Sequence, residues 1–166
     1  MEPSLFVPID DAMPVISSVN PISSVNVAVK ILDSRAVSPY YGTFNSAGMD
    51  LCSIDNAIIH PGETVIIHTG IAMKIPDSLV GLIYARSGLG IKKGIAPANK
   101  VGVIDSDYRG EIMVALHNHS NEDYEVNIGD RIAQMVLTPY FKASINIVDE
   151  LDSTDRGEGG FGSTGK

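Results

Sequence analysis

Residues 25–31 read VNVAVKI, a stretch in which an apolar side chain stands at every second position. This period of two predicts a β-strand with one buried face, because successive side chains of a strand point to opposite faces. Further short runs rich in apolar and β-branched residues predict strands at 64–68, 79–84, 112–116, 131–137 and 144–148. Turn-forming residues separate these runs, so the sequence predicts an all-β barrel or sandwich.

One short helix is expected at Ser87–Lys92, because serine is a favourable first residue and Gly94 follows the segment. Residues 1–24 include the start of a tandem copy, ISSVN at 16–20 and again at 22–26, which is too short for a repeat architecture. We expect residues 1–24 to be a flexible extension, 25–150 the β domain, and 151–166 a flexible glycine-rich arm.

Composition excludes several classes of protein. The 166 residues suit one domain with a core, and 44% hydrophobic with 19% charged residues is typical of a globular chain. No apolar run is long enough to span a bilayer, and no secretory signal is recognisable, so no membrane association is expected. A single cysteine, Cys52, fits a reducing compartment, so we expect an intracellular and most simply cytoplasmic protein. The net charge of −8 argues against nucleic acid as a partner.

The last eleven residues, RGEGGFGSTGK, carry functional groups that a core does not need. Five of the residues from Arg156 to Gly165 are glycine, and among them stand an arginine, a phenylalanine and a Ser-Thr pair. Glycine backbones approach phosphates closely, and arginine offers a two-pronged donor to phosphate oxygens. Two interpretations stay open: a floppy terminus, or a mobile lid over a nucleotide.

Two segments combine glycine with groups that bind anions. In ARSGLG, residues 85–90, Arg86, the Ser87 hydroxyl and the first helical amides are expected either to converge on an anion or to form a simple capped turn. In GDRIAQ, residues 129–134, Asp130 and Arg131 form an ion pair in the simplest interpretation, and Gln134 could donate to a phosphate. Asp50 in AGMDL, residues 47–51, is by itself an ordinary turn aspartate.

The segment GVIDSDYRGEI, residues 102–112, resembles a hairpin and turns abruptly polar at Asp105. It is either a turn with solvated charges or a site in which one aspartate acts as a general base on a water molecule. Tyr108 would then form a flat apolar wall with one polar tip.

Other catalytic centres lack support in the sequence. His117 and His119 would share one face of a strand, but no third histidine or cysteine completes a metal set. No Ser-His-Asp or Cys-His arrangement has a supporting context, and Cys52 is expected to be a buried, inert thiol.

These five segments, in this order, resemble the motifs of the homotrimeric dUTPases, the dUTP pyrophosphatases. The resemblance covers about residues 25–166 and implies the β-clip fold, a distorted barrel or jelly-roll of short strands with one short helix. Two positions depart from the usual pattern: Met49 replaces a common aromatic residue, and Ala85 replaces the proline that usually precedes Arg-Ser. Neither change removes a polar catalytic group.

The resemblance implies hydrolysis of dUTP to dUMP and pyrophosphate, which limits uracil incorporation into DNA and supplies dUMP for dTMP synthesis. By this resemblance Asp105 holds the attacking water and bonds the sugar 3′-hydroxyl, and Tyr108 packs under the deoxyribose. Asn99 and the backbone near Gly102 and Met113 read the uracil edge.

The same resemblance implies a composite site shared by three subunits of a homotrimer. The phosphates of dUTP would be held by Arg86, Ser87, Gly88 and Gln134, and the tail of another subunit would close on the ligand through Arg156, Phe161, Gly162, Ser163 and Thr164. Mg²⁺ is the implied cofactor, bound mainly by the triphosphate and through water by Asp50.

Two rival functions stay open at this point. A dCTP deaminase of related fold would need an acid–base group facing the ring, for which Glu111 is the nearest candidate. A non-catalytic trimeric nucleotide sensor or protein-binding module would keep the fold without turnover, although such a protein has no need of Asp105.

Overall fold

The computed structural model describes residues 24–161 and Ser163. The expected extension, apart from its last residue, and the candidate site residues Gly162 and Thr164 lie outside the described residues. The described chain contains twelve β-strands and one α-helix: β1 Ala28–Ile31, β2 Tyr40–Tyr41, β3 Met49–Cys52, β4 Ala57–Ile59, β5 Thr64–His68, β6 Ile71–Lys74, β7 Leu79–Tyr84, α1 Ser87–Lys93, β8 Ile95–Pro97, β9 Gly102–Ile104, β10 Met113–Asn118, β11 Tyr124–Val126 and β12 Arg131–Pro139.

All strand pairs are antiparallel and form four sheets. The largest sheet has the order β2-β3-β12-β7-β9, and a second has the order β5-β10-β8. The pairs β1-β6 and β11-β4 complete the set. The expected all-β fold with one short helix is confirmed, and its described strands form separate sheets rather than one closed cylinder.

An isoleucine-rich core lies between these sheets. Every sheet contributes to it, because the inward-facing positions of the strands are apolar. The fully buried side chains include Leu51, Ile59, Ile67, Ile71, Ile83, Leu116, Ile132 and Met135. A buried polar side chain, Asn118, is satisfied, since its amide donates to the carbonyl oxygens of Ile59 at 2.8 Å and Glu122 at 2.7 Å. Buried amide groups are normally hydrogen-bonded in this way, because an unpaired polar group in the core is costly.

Most of the expected strands are confirmed, and one is wrong. Those at 64–68 and 79–84 form with the expected limits, and those near 112–116 and 131–137 form as β10 and β12. The first strand is shorter than its apolar alternation, since pairing with β6 starts at Ala28. Residues 144–148 pair with no strand in the described chain, and Ile145 and Ile147 are 87% and 93% exposed. The sequence there does alternate apolar and polar side chains, but no other strand of the described chain lies beside it to form hydrogen bonds.

The expected helix forms as α1 and ends at Gly94, whose φ of 69° is left-handed. Gly94 N–H donates to the Leu89 carbonyl, which closes the helix. A Cβ at this position would stand 3.0 Å from the Ser120 nitrogen, so the chain also needs glycine for space. Within the described residues no helix is long and apolar enough to cross a membrane.

We expect Gly94→Ala to destabilise the protein more than Gly62→Ala, as measured by chemical unfolding. Both glycines have positive φ, which costs an alanine about 1–2 kcal/mol. Gly62 has open space around its Cβ position, whereas Gly94 adds a clash with the backbone at Ser120. Equal losses in the two variants would show that the clash is relieved at no cost.

Candidate active site

The segment Gly102–Ile112 links two sheets and is not a hydrogen-bonded hairpin. Its first strand, β9, pairs with β7 in the five-stranded sheet, while the following β10 pairs with β5 and β8. The hairpin expected from the sequence is therefore wrong, because the partners of the two strands lie in different sheets. The loop between them crosses from one sheet to the other and carries Asp105 and Tyr108.

Internal contacts give this loop a defined shape. The Tyr108 hydroxyl donates to the Glu111 carbonyl oxygen at 3.0 Å, and its backbone N–H donates to the Asp105 carbonyl at 3.2 Å. The Arg109 guanidinium donates to the carbonyl oxygens of Ser106 and Tyr108. The Tyr108 ring lies so close to Gly110 that a Cβ there would overlap its hydroxyl. Glycine at this position therefore lets the ring fold back over the loop.

A cleft of about 190 Å³ opens beside this loop. It is lined by Val103, Ile104, Asp105, Tyr108, Glu111 and Met113. Asp105 is exposed at the cleft, and the apolar groups around it form a surface suited to a flat ring. Asn99 and Gly102 are outside the lining. The Asn99 amide nitrogen lies 3.6 Å from the Cβ position of Gly102, at the far end of β9.

A second group of candidate residues meets at the centre of the five-stranded sheet. Asp50, 8% exposed, accepts from Arg86 Nε at 2.8 Å and from Arg131 Nη1 at 3.1 Å. Gln134 lies opposite Asp50 in the β12–β3 register, and its amide donates to the Ala85 carbonyl at 2.9 Å. Asp50 is therefore more than a turn residue, because it holds two guanidinium groups in place.

These residues line a cleft of about 510 Å³. Its lining includes the expected Asp50, Arg86, Ser87, Gly88 and Gln134, together with Gly42, Ser46, Ala47, Gly48, Tyr84, Arg131 and Val136. Sequence reasoning missed the second set as site residues. Val136 could have been found, because the period of two puts it on the same face of a strand as Gln134, whereas Tyr84 lies opposite Gln134 through a pairing that only the folded chain shows. Gly48 is required by packing, since a Cβ there would come within 2.6 Å of the Gln134 side-chain oxygen.

The ion pair expected between Asp130 and Arg131 is wrong. Asp130 accepts from the Asn127 backbone N–H at 2.8 Å and closes its own turn, whereas Arg131 reaches across to β3. The hydrogen bond to Asp50 raises the pKa of Arg131 further, so the Arg131 guanidinium stays charged. Neighbours in sequence point apart here because they lie on a turn and on a strand.

The two clefts lie at opposite ends of β7. Ile104 pairs with Gly81, and Arg86 lies five residues beyond Gly81. Because β9 is antiparallel to β7, Asp105 lies one residue beyond Ile104 on the side of Gly81 that faces away from Arg86. Asp105 and Arg86 are thus about six residues apart along β7, which at about 3.3 Å per residue is about 20 Å. One chain thus does not bring its own Asp105 and Arg86 together.

The described part of the tail folds on itself and joins neither cleft. Arg156 Nε donates to the Gly159 carbonyl at 2.8 Å, and Ser163 N–H donates to the Gly160 carbonyl at 3.0 Å. The Phe161 ring is fully exposed. Of the expected lid residues, Arg156, Phe161 and Ser163 are described, and none of the three lines either cleft.

Metal-binding and thiol chemistry have little basis in the described residues. No group of three or more histidine, cysteine, aspartate or glutamate side chains is arranged for a metal ion there. The rings of His117 and His119 meet edge to face at 4.3 Å between centroids. Cys52 is buried, as expected, and its burial raises the pKa of the thiol.

Comparison with known proteins places these clefts in context. The dUTPase family model matches residues 34–165. The deoxyuridine 5′-triphosphate nucleotidohydrolase of Shewanella loihica is 51% identical over 146 residues, covering 84% of this chain and 96% of that protein. The corresponding protein of Shewanella piezotolerans is 52% identical over the same shares.

Solved structures agree with this likeness. A mutant dUTPase of Staphylococcus bacteriophage 80alpha with dUpNHpp superposes with a TM-score of 0.79 at 27% identity, covering 86% of this chain and all of that one. A mutant dUTPase of phage phi11 of S. aureus, described for its coordination of a structural Mg(II) ion, gives a TM-score of 0.71 at 26% identity over 76% of this chain and 98% of that one.

We expect Asp50→Asn to lower the unfolding free energy by about 1–3 kcal/mol, because a buried charge-assisted acceptor is lost. The new amide would also turn an N–H donor towards one of the two guanidinium groups. Asp123→Asn is the control, since it disturbs the exposed pair with His60. Thermal unfolding of both variants checks this, and a larger loss in the control contradicts the central role of Asp50.

Proposed function

The chain belongs to the dUTPase family, and we propose that it hydrolyses dUTP to dUMP and pyrophosphate by attack of water on the α-phosphorus. Phosphoanhydride hydrolysis needs an aligned water molecule and neutralisation of phosphate charge, and needs no enzyme nucleophile. The described residues offer this combination: an exposed carboxylate beside an apolar cleft, and a separate cleft that carries two arginines. The single observation that carries the proposal is Asp105 at the edge of the cleft formed by Tyr108 and Met113.

Asp105 acts as the general base and holds the sugar 3′-hydroxyl. A general base must lie within hydrogen-bond reach of the proton that it accepts, and Asp105 lies on a loop of defined shape at the cleft. The Tyr108 ring packs under the deoxyribose and leaves no space for a 2′-hydroxyl. Asn99 and the backbone at Gly102 and Met113 bind the uracil edge, with Asn99 and Gly102 reaching the base from the far end of β9.

The second cleft holds the phosphates. Arg86 donates to phosphate oxygens together with the Ser87 hydroxyl, the Gly88 backbone and the Gln134 amide. Asp50 orients Arg86 through the hydrogen bond of 2.8 Å from Nε, and Nη1 donates to the Arg131 carbonyl oxygen at 3.3 Å. The N–H groups of Nη2 are then the ones available to a phosphate. Local cations of this kind are necessary because the chain has a net charge of −8 and the ligand is itself an anion.

Mg²⁺ fits this site as an ion that arrives with the triphosphate. Magnesium keeps several waters and binds through phosphates and one or two carboxylates, so a dedicated protein cage is unnecessary. Asp50 is the carboxylate of the phosphate cleft, and its remaining lone pairs can accept from a metal-bound water. When bound, the ion neutralises negative charge on the phosphates.

A complete site requires more than one subunit, and we infer a homotrimer in which neighbouring chains complete it. The separation of about 20 Å between Asp105 and Arg86 supports this, because one dUTP cannot use both residues of the same chain. One subunit supplies the Asp105 cleft, and its neighbour supplies the Arg86 cleft.

The C-terminal part of the chain supports the same assembly. The side chains of Phe141, Ile145, Ile147 and Leu151 are almost fully exposed in the isolated chain. Burying apolar area of this kind is favourable, so the segment packs on a neighbouring subunit. The tail of a third subunit, Arg156, Phe161, Gly162, Ser163 and Thr164, then closes on the γ-phosphate and the uracil.

We propose the same division of the chain as before: an extension at 1–24, a β domain at 25–150 and the arm at 151–166. The unpaired, buried Cys52 fits a reducing and therefore intracellular setting. Deamination of dCTP finds no support, because both Glu111 carboxylate oxygens are occupied by His68 and by the Gly70 N–H.

We expect Asp105→Asn to bind dUTP but to turn it over at least about 100-fold more slowly, because only the proton-accepting step is lost. Pyrophosphate release with Mg²⁺ measures turnover, and calorimetry with a non-hydrolysable analogue measures binding. Asp107→Asn, two residues away on the same loop, is the control and keeps its rate. An unchanged rate in Asp105→Asn shows that the base lies elsewhere.

A subunit-mixing experiment tests the shared site. Asp105→Asn and Arg86→Ala proteins are each expected to be nearly inactive, but chains co-refolded in equal amounts regain activity. If Asp105 and Arg86 of one site come from different chains, each of the two chains carries the intact residue in about half of the cases. Random mixing therefore makes about a quarter of the sites intact. No recovery, with mixed trimers verified by mass, would show that one chain supplies both residues.

A further inference from the structure

A histidine–glutamate pair lies where the Asp105 loop meets the turn between β5 and β6. His68 is the last residue of β5, and its Nδ1 lies 2.9 Å from Glu111 Oε2. The other carboxylate oxygen, Oε1, accepts from the Gly70 backbone N–H at 2.8 Å. The carboxylate therefore joins the loop to two residues of the neighbouring turn.

Backbone contacts surround this pair and continue it to the reacting groups. The Thr69 hydroxyl donates to the Ile112 carbonyl, and the Ile112 N–H donates to the Ile71 carbonyl at 2.9 Å. On the loop side, the Tyr108 hydroxyl donates to the Glu111 carbonyl. Two hydrogen bonds therefore link Glu111 to Tyr108 and Tyr108 N–H to the Asp105 carbonyl oxygen.

We propose that His68 and Glu111 are positioning residues, which hold the Asp105–Tyr108 loop in its working position more firmly when His68 carries a proton. This inference rests on the proposed hydrolysis of dUTP at Asp105. Neither residue has to touch the ligand for the effect, because the loop between β9, which ends at Ile104, and β10, which begins at Met113, is short. His68 lies outside the five motifs, and Glu111 lies within GVIDSDYRGEI but has no proposed contact with phosphate or with the attacking water.

The charges around His68 favour its protonated form. The hydrogen bond to Glu111 raises the pKa of His68, against a smaller opposing effect of burial. Asp55 faces it from the β3–β4 connection, where its Oδ2 accepts the His68 backbone N–H at 2.7 Å. Burial pulls the pKa of Glu111 upward, but the hydrogen bonds from His68 and Gly70 outweigh it and leave that pKa lowered.

The sign of the pH dependence follows from these two shifts. The histidine contribution is fully present below the ordinary pKa of about 6.5 and is lost as the pH rises through the raised value. The carboxylate contribution is lost only as the pH falls through the lowered pKa of Glu111. The ion pair between His68 and Glu111 is therefore strongest at pH values above the ordinary pKa of a glutamate and below the ordinary pKa of a histidine. Its strength is modest, because the His68 side chain is 46% exposed.

The test compares His68→Ala and Glu111→Gln with His60→Ala. The control breaks a histidine–carboxylate pair of similar length, His60 with Asp123 at 2.8 Å, away from both clefts. We expect kcat of wild type to exceed that of His68→Ala about two- to five-fold near pH 6. The ratio falls towards one above the raised pKa of His68, while His60→Ala follows wild type at every pH.

Nuclear magnetic resonance of the imidazole signals gives a second readout that needs no turnover. In Glu111→Gln the pKa of His68 is expected to fall towards its ordinary value, while that of His60 stays raised. A ratio of kcat values that does not change with pH, or a His68 pKa unaffected by Glu111→Gln, overturns the proposal.

The two proposals fail in different ways. Wild-type protein that releases no pyrophosphate from dUTP overturns the proposed function and with it a role of the pair in turnover. Active wild type with a flat kcat ratio leaves the function standing and reduces the pair to an ordinary structural contact. Thermal unfolding of His68→Ala across the same pH range excludes loss of folded protein as the cause.

Discussion

The antiparallel pairing of β7 with β12 and with β9 determines where the two clefts lie. On one side β7 pairs with β12, which places Gln134 beside Tyr84 and Asp50. On the other side it pairs with β9, which sends Asp105 towards the opposite end of the sheet. Antiparallel neighbours necessarily run to opposite ends, so the two clefts are separated by the length of a strand. The sharing between subunits that we propose follows from this geometry rather than from any special interface residue.

The cleft lined by Arg86 and Arg131 carries positive charge, whereas the chain as a whole has a negative net charge. Two guanidinium groups surround one carboxylate, Asp50, so the cleft keeps positive charge while the protein as a whole carries −8. The carboxylate is nearly buried, which makes its pairing with Arg86 directional and raises the cost of losing it. Because Asp50 is paired with two guanidinium groups, an acidic residue can lie in the cleft that we propose to bind phosphates.

Much of the fold was predictable from the sequence, because period-two patterns bounded by turn residues identify strands such as 64–68 and 79–84 directly. The pairing of those strands was not predictable, since a pattern does not name its partner. For that reason the sequence of Gly102–Ile112 predicts a hairpin, whereas β9 and β10 join different sheets. Pairing also decides the contacts of Arg131. Its sequence neighbour Asp130 suggests an ion pair, but in the folded chain Arg131 pairs with Asp50 of β3. Asp50 and Arg86 were both candidates, but their contact joins residues 36 positions apart, and only the folded chain brings them together.

The exposed segment after β12 has a consequence for any chain that stands alone. Ile145 and Ile147 lie in an extended stretch with unpaired backbone groups and exposed apolar side chains, the features of a strand that pairs with whatever chain it meets. Exposed apolar segments of this kind are recognised by chaperones and proteases. In the homotrimer that we propose, a neighbouring chain covers the segment, so only unassembled chains would be open to such recognition.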